Sequence, residues 1–129
     1  MRLARDVRVV EKAIWLYVPL APPSPILIFP SSSQATFRTP EYEFTAKTSS
    51  IGIRDDEIAL ADPARWRVVA LGDSFTYGWG VELAETWAKV AERRLPEHWP
   101  EAQVLNLGCP GLSVDGYAKI AKLLSRAAR

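Results

Sequence analysis

The sequence predicts an α/β fold built on a parallel sheet, and three observations carry that prediction. Trp66 to Leu71 is a continuous apolar run broken only by Arg67, the pattern of a strand buried on both faces of a parallel sheet. A helix-type pattern follows over Leu83 to Leu95, then a second short strand, Gln103 to Leu107, ending at Gly108. A last helical stripe comprises Tyr117, Ile120, Ala121 and Leu124. This strand, helix, strand, helix order calls for right-handed crossovers and parallel pairing. Only two such strands are present, where a doubly wound sheet usually has about five. The sheet is therefore expected to be incomplete, like the first half of a domain.

The bulk properties restrict the function classes. A chain of 129 residues, 48% of them apolar, suits one domain with a real core. The formal net charge of +1, with both signs interspersed, leaves no electrostatic footprint for nucleic acid and no polybasic membrane patch. A single cysteine, Cys109, excludes an internal disulfide, and one Cys with one His excludes a clustered Cys/His zinc site. No metal or cofactor is expected.

The elements follow in order. Residues 1–40 read as an N-terminal helix and a proline-rich lead-in, and residues 41–129 as one partial α/β domain. Val7, Val10, Ile14 and Tyr17 form a stripe along a helix from Arg2 to Tyr17, ended by Pro19. Three readings stay open for this segment: a short docking helix, a degenerate export signal or anchor, or disorder. The compartment, cytoplasmic or exported, stays open with it. Ile26 to Phe29 suits a short extended edge piece, and Ser31 to Ser33 a loop. Tyr42 to Thr48 alternates apolar and polar residues, as a half-exposed strand does. Ser49 to Glu57 is a turn with a charged cluster. Its Arg54, Asp55 and Asp56 either tie the lead-in to the domain or form a solvated patch. In the helix over Leu83 to Leu95, Trp87, Val90, Ala91 and Leu95 are expected on the buried face, with Glu85, Lys89, Glu92 and Arg93 outside and Pro96 as the stop. Ser113 or Asp115 suits the cap of the last helix. Trp66, Trp87 and Trp99 are expected to pack, and His98 to be an exposed loop residue.

The chemistry centres on Gly72-Asp73-Ser74, where the first strand ends abruptly. Open α/β sheets hold reactive groups at the carboxyl ends of their strands. A serine there needs a base to take its proton and N–H donors for the oxyanion that forms. Gly72 permits a tight turn, and Asp73 suits a structural role, fixing that turn through hydrogen bonds. Parallel pairing brings Gly108 to the same rim, where its N–H is expected to act as an oxyanion donor beside that of Ser74. The base is missing. His98, the sole imidazole, precedes the second strand and lies at the opposite edge, roughly 17–20 Å away along a strand.

Gly72-Asp73-Ser74-Phe75-Thr76-Tyr77-Gly78-Trp79-Gly80-Val81 resembles the first conserved block of the GDSL (SGNH) hydrolases, with Phe75 in place of the name-giving leucine. Asn106-Leu107-Gly108-Cys109-Pro110-Gly111 is similar to the second block, and Ser49 to Asp55 to a lead-in found in bacterial members. The resemblance spans about Tyr42 to Leu124. It implies a three-layer, flavodoxin-like α/β fold and ester hydrolysis, or acyl transfer to sugars, with Ser74 as nucleophile and the Ser74 and Gly108 amides as oxyanion donors. The third block, with its Gly-x-Asn-Asp, and the fifth, Asp-x-x-His, do not occur. Three readings follow: an ester hydrolase lacking its His-Asp pair, a polysaccharide O-acyltransferase of the same fold, and a non-catalytic fragment or binding module. The expected ligand is a small ester or acylated carbohydrate, and exposed strand edges are expected to drive self-association. Cys109 reads as a small buried apolar residue, and Trp79 as either a pocket wall or a packing residue.

Overall fold

The computed structural model describes residues 29–58 and 66–127. The expected helix over Arg2 to Tyr17 and all of the expected edge piece Ile26 to Phe29 except Phe29 lie outside that range. The elements are β1 (Gln34–Arg38), β2 (Glu43–Lys47), β3 (Arg67–Gly72), the four-residue α1 (Ser74–Tyr77), a 3₁₀ turn (Leu83–Glu85), α2 (Trp87–Arg94), a second 3₁₀ turn (Leu95–Glu97), β4 (Gln103–Gly108) and α3 (Val114–Ala127). No helix among the described residues is long and apolar enough to cross a membrane.

Two two-stranded sheets result, β1–β2 antiparallel and β3–β4 parallel. The described residues hold one βαβ unit (β3, α2, β4), so their parallel sheet has the two strands read from the sequence, and the wider flavodoxin-like fold stays what the resemblance implies. Within that unit the expected parallel pairing is present, with Arg67 opposite Gln103 and Gly72 opposite Gly108.

The hairpin was only half legible. β1 has the same alternation as β2, and Phe37 stacks on Phe44 at 4.9 Å between ring centroids. On the outer face, Arg38 donates to the Glu43 carboxylate at 2.6 and 2.7 Å. The boundary expected between residues 40 and 41 falls in the loop of this hairpin. Phe29 and Phe37 share one core with Phe44, Ile53, Tyr77, Leu105, Leu107, Leu112 and Ile120, so the lead-in from Phe29 onward belongs to the domain.

The β3–β4 sheet is buried unevenly. Every β4 residue after Gln103 is buried, whereas Val68 and Val69 of β3 are exposed. Trp66, expected to pack, is 70% exposed. The apolar run in β3 anticipated cover on both faces, and the described residues supply it mainly over Ala70 and Gly72.

The α2 segment packs Ala91 and Leu95 inward as expected and differs from the expected face at Trp87 and Lys89. Ala88, with Ala91 and Leu95, packs on Ala70 and Val104. Trp87 is 51% exposed, Trp99 is exposed too, and Lys89 is buried. The short side chain of Ala88 allows close approach to the sheet, and an ion pair described below draws Lys89 inward. Thr86 caps α2 by accepting the Lys89 N–H. Pro96 does not stop the chain outright, because the helix tightens into the 3₁₀ turn Leu95–Glu97 with proline in its first positions. Ser113 caps α3: its carbonyl accepts from Tyr117 N–H at 3.0 Å and its hydroxyl from Gly116 N–H at 3.4 Å. Ile120 is buried and Tyr117 half-buried on that helix, while Ala121 is exposed.

The two edges of the parallel sheet differ. Gln103 N–H donates to Trp66 O and Cys109 N–H to Gly72 O, so the alternate amides of β4 point to its outer edge. Side chains occupy all of these. Val104 N–H donates to Glu92 Oε2 at 2.6 Å, Asn106 N–H to Asp55 Oδ2 at 2.8 Å, and Gly108 N–H to Asn106 Oδ1 at 3.0 Å. On the outer edge of β3, the Val69 and Leu71 amides have no acceptor among the described residues.

Candidate functional site at the strand ends

Ser74 is the first residue of α1, directly beyond the end of β3, and is half-exposed. Asp73 is the N-cap, its Oδ1 accepting from Phe75 N–H at 3.0 Å. Its carbonyl accepts from Tyr77 N–H and the Ser74 carbonyl from Gly78 and Trp79 N–H, which closes the single turn. Gly78 ends the turn at φ 81°, the left-handed region that glycine adopts without a Cβ penalty. The Ser74 hydroxyl and N–H have no partner among the described residues. Phe75 beside it is 85% exposed.

Gly72 is required for a different reason from the one expected. Its φ is not positive; instead a Cβ there would meet Thr76 Oγ1 at 1.9 Å. The glycine lets α1 fold back onto the strand end. Gly108 does the same from the second strand: a Cβ would lie 2.0 Å from Tyr77 N.

The Gly108 N–H, expected as an oxyanion donor, is buried and donates to Asn106 Oδ1 at 3.0 Å. Gly111, three residues on, is exposed. Cys109-Pro110-Gly111-Leu112 is a turn closed by Leu112 N–H to Cys109 O at 3.1 Å, with Gly111 at φ 78°. Pro at its second position and a positive-φ glycine at its third make it type II. Gly111 N–H has no acceptor among the described residues, and nothing lies within 4 Å of where its Cβ would be. The Pro-Gly pair was legible as a turn, and the fully buried Asn106, which competes for the Gly108 amide, was not.

Under the rim lies a pair of adjacent buried charges. Arg54 is 0% and Asp55 3% exposed, which decides between the two readings of that cluster; Asp56 is exposed. Arg54 Nη1 donates to Tyr77 O and Gly78 O, and Nη2 to Val81 O, each at 2.7 Å. Its guanidinium lies 5.0 Å from the Phe44 ring centroid and 4.7 Å from that of Tyr77. Nε is buried without a partner among the described residues. Burial pulls the Arg54 pKa below its ordinary value, yet a guanidinium stays charged in proteins.

Asp55 turns the other way. Besides Asn106 N–H, it accepts Asp56 N–H at 2.8 Å and pairs tightly with Lys89. Lys89 Nζ also reaches Glu92 at 3.0 and 3.1 Å and Val104 O at 3.2 Å. Burial opposes the Lys89 charge, but Asp55 and Glu92 outweigh it and raise the pKa. Nothing in the spacing of Lys89 distinguished it from an exposed helix lysine; its pairing across 34 positions exists only in the fold.

His98 follows the Leu95–Glu97 turn, exposed, before β4 begins. It lies at the amino end of the sheet, with Ser74 at the carboxyl end. No imidazole or other base pairs with Ser74 among the described residues. Trp79 packs against Phe37 and Phe44, and its Nε1 donates to the Tyr42 hydroxyl at 2.7 Å. Cys109 is buried, and burial pushes its thiol pKa up to about 11. No group of His, Cys, Asp and Glu among the described residues is placed to hold a metal ion. A cleft of about 810 Å³ between the hairpin and α2 is lined by Thr45, Lys47, Glu57, Glu82 and Arg93 among others, and Ser74 is not in its wall.

No protein-family model matches the chain, and neither the curated proteins nor the solved structures contain a match to it.

Proposed function

We propose that this chain carries the nucleophile-bearing part of a GDSL-like serine ester hydrolase. The single observation behind this reading is the setting of Ser74: a half-exposed hydroxyl without a partner among the described residues, held at the carboxyl end of a parallel strand by an Asp-capped turn. The resemblance of the Gly72 to Val81 block supports the same reading. In the proposed reaction Ser74 Oγ attacks an ester carbonyl, its proton passes to a base, and the alcohol leaves; water then releases the acid. The Ser74 and Gly111 amides are the oxyanion donors in this scheme, in place of Gly108. Transfer of the acyl group to a sugar hydroxyl instead of water is the variant reading of the same site.

The non-catalytic reading rests on its own observation, the location of His98 at the far end of the sheet. A fluorophosphonate reagent separates the two, because it reports on the nucleophile without turnover. Ser74 Oγ displaces fluoride at phosphorus and its proton is lost to buffer or to added imidazole. Mass spectrometry is expected to find one adduct on Ser74 and none in Ser74→Ala. Absence of the adduct, with and without added imidazole, rules out the nucleophile assignment.

A further inference from the structure

We infer that Arg54 is the positioning residue of the Ser74 turn, clamping it against the lead-in while its neighbour Asp55 holds the second rim strand. The inference rests on the Ser74 reading for its catalytic meaning, and on geometry for the clamp itself.

A four-residue helix is too short to hold its own shape in water. Its last carbonyls have no partner inside the helix and need outside donors. Arg54 supplies them. Its two Nη atoms donate to Tyr77 O, Gly78 O and Val81 O at 2.7 Å, spanning the end of α1 and the loop that follows. The planar guanidinium fits this because it presents several donors in a fixed fork, whereas an ammonium is a point donor. Phe44 from the hairpin and Tyr77 from α1 itself hold the guanidinium, so it reports the position of β2 to the turn. Gly78 completes the fit, since a Cβ there would lie 3.2 Å from Arg54 Nη1 and 2.2 Å from Thr86 Cγ2.

The next residue points to the other strand. Asp55 Oδ2 accepts the Asn106 N–H, and Asn106 Oδ1 accepts the Gly108 N–H one turn from Gly111. Two consecutive residues thus reach the two rim segments that carry Ser74 and Gly111. Both rim segments are thereby tied to adjacent positions of one stretch of backbone, which suits a hydroxyl and an amide that must meet one carbonyl group.

The test uses Arg54→Lys, which keeps the charge and loses the fork. Two readouts are taken: hydrogen exchange at the Tyr77, Gly78 and Trp79 amides relative to Leu105 and Leu107, and the fluorophosphonate labelling rate at Ser74. Val104→Ala, at the far end of β4, serves as a control for general destabilisation. Arg54→Lys is expected to speed exchange at residues 77–79 at least tenfold with Leu105 and Leu107 unchanged, and to slow labelling at least tenfold. Val104→Ala is expected to leave labelling within twofold. Unchanged exchange at 77–79 in Arg54→Lys overturns the clamp, and equal slowing of labelling by Val104→Ala reduces Arg54 to a stabilising residue. If the wild type is not labelled at Ser74, the hydrolase reading falls and the exchange measurement alone decides the clamp. Should Arg54→Lys not fold, Phe44→Leu, which removes one ring from the guanidinium, is read the same way.

Discussion

Asp55 Oδ2 accepts the backbone N–H of Asn106 at 2.8 Å, on the β4 edge that no strand among the described residues covers. A carboxylate from a loop thus does the work of a neighbouring strand. Its charge is balanced by Lys89, which Glu92 also holds. Removing Asp55 leaves the buried Asn106 N–H without an acceptor and Lys89 with Glu92 alone, and breaking a buried pair typically costs about 3–5 kcal/mol. Asp55→Ala is therefore expected to lower stability by about that amount in urea unfolding. Asp55→Asn keeps an acceptor for Asn106 and should cost less. An Asp55→Ala chain within experimental error of wild type would show that the network contributes nothing.

The rim glycines should not be equivalent. Gly108→Ala drives a methyl to 2.0 Å from the Tyr77 backbone nitrogen, which cannot swing aside. Gly111→Ala meets no atom within 4 Å and incurs only the left-handed backbone penalty of roughly 1–2 kcal/mol. Melting temperatures should thus fall much further for Gly108→Ala. Labelling of Ser74 should be slowed in Gly108→Ala per folded molecule, because the displaced element is α1.

Stability should decline in alkali, beginning with Cys109. Burial raises its thiol from an ordinary 9.0 to about 11, and burial raises the Tyr77 phenol from 10.0 to about 12. In each case the unfolded chain sheds its proton at a pH where the folded chain keeps it, so folding is penalised as pH rises. The contribution of Cys109 is intact below about pH 9 and lost between 9 and 11, an effect of about 2–3 kcal/mol for a two-unit shift. Lys89 acts in the same direction above its ordinary 10.5. In a Cys109→Ala chain the decline should begin about one pH unit later, at the Tyr77 step. Urea midpoints measured from pH 8 to 11 check this, and parallel profiles for the two chains would contradict it.

The outer edge of β3, which no strand among the described residues pairs, should drive self-association at Val69. Val69 is exposed and its amide has no acceptor among the described residues, beside exposed Val68 and Trp66. Unpaired, apolar edges template pairing with another chain, and lysine on such an edge blocks it. Val69→Lys is expected to shift sedimentation toward monomer with stability changed by less than about 1 kcal/mol, since its backbone groups do not bond β4. Identical sedimentation of the two chains over a concentration series would exclude this edge as the contact.

What the sequence determined is local. The apolar runs of β3 and β4, the punctuation at Gly72, Gly108 and Pro110-Gly111, and the position of Ser74 between strand and turn all follow from short-range periodicity and backbone sterics. The parallel register that sets Gly72 opposite Gly108 follows from the βαβ order. Only the tertiary structure decided where charges and amides pair. Arg54, Asp55 and Lys89, buried, and Glu92, half-buried, carry no distinguishing pattern in the chain and become partners of β4 and the Ser74 turn. Asn106 takes the Gly108 amide and leaves Gly111 exposed for the same reason. A hydrogen bond or ion pair depends on a few ångströms between groups distant in sequence, and no pattern of neighbouring residues encodes that distance.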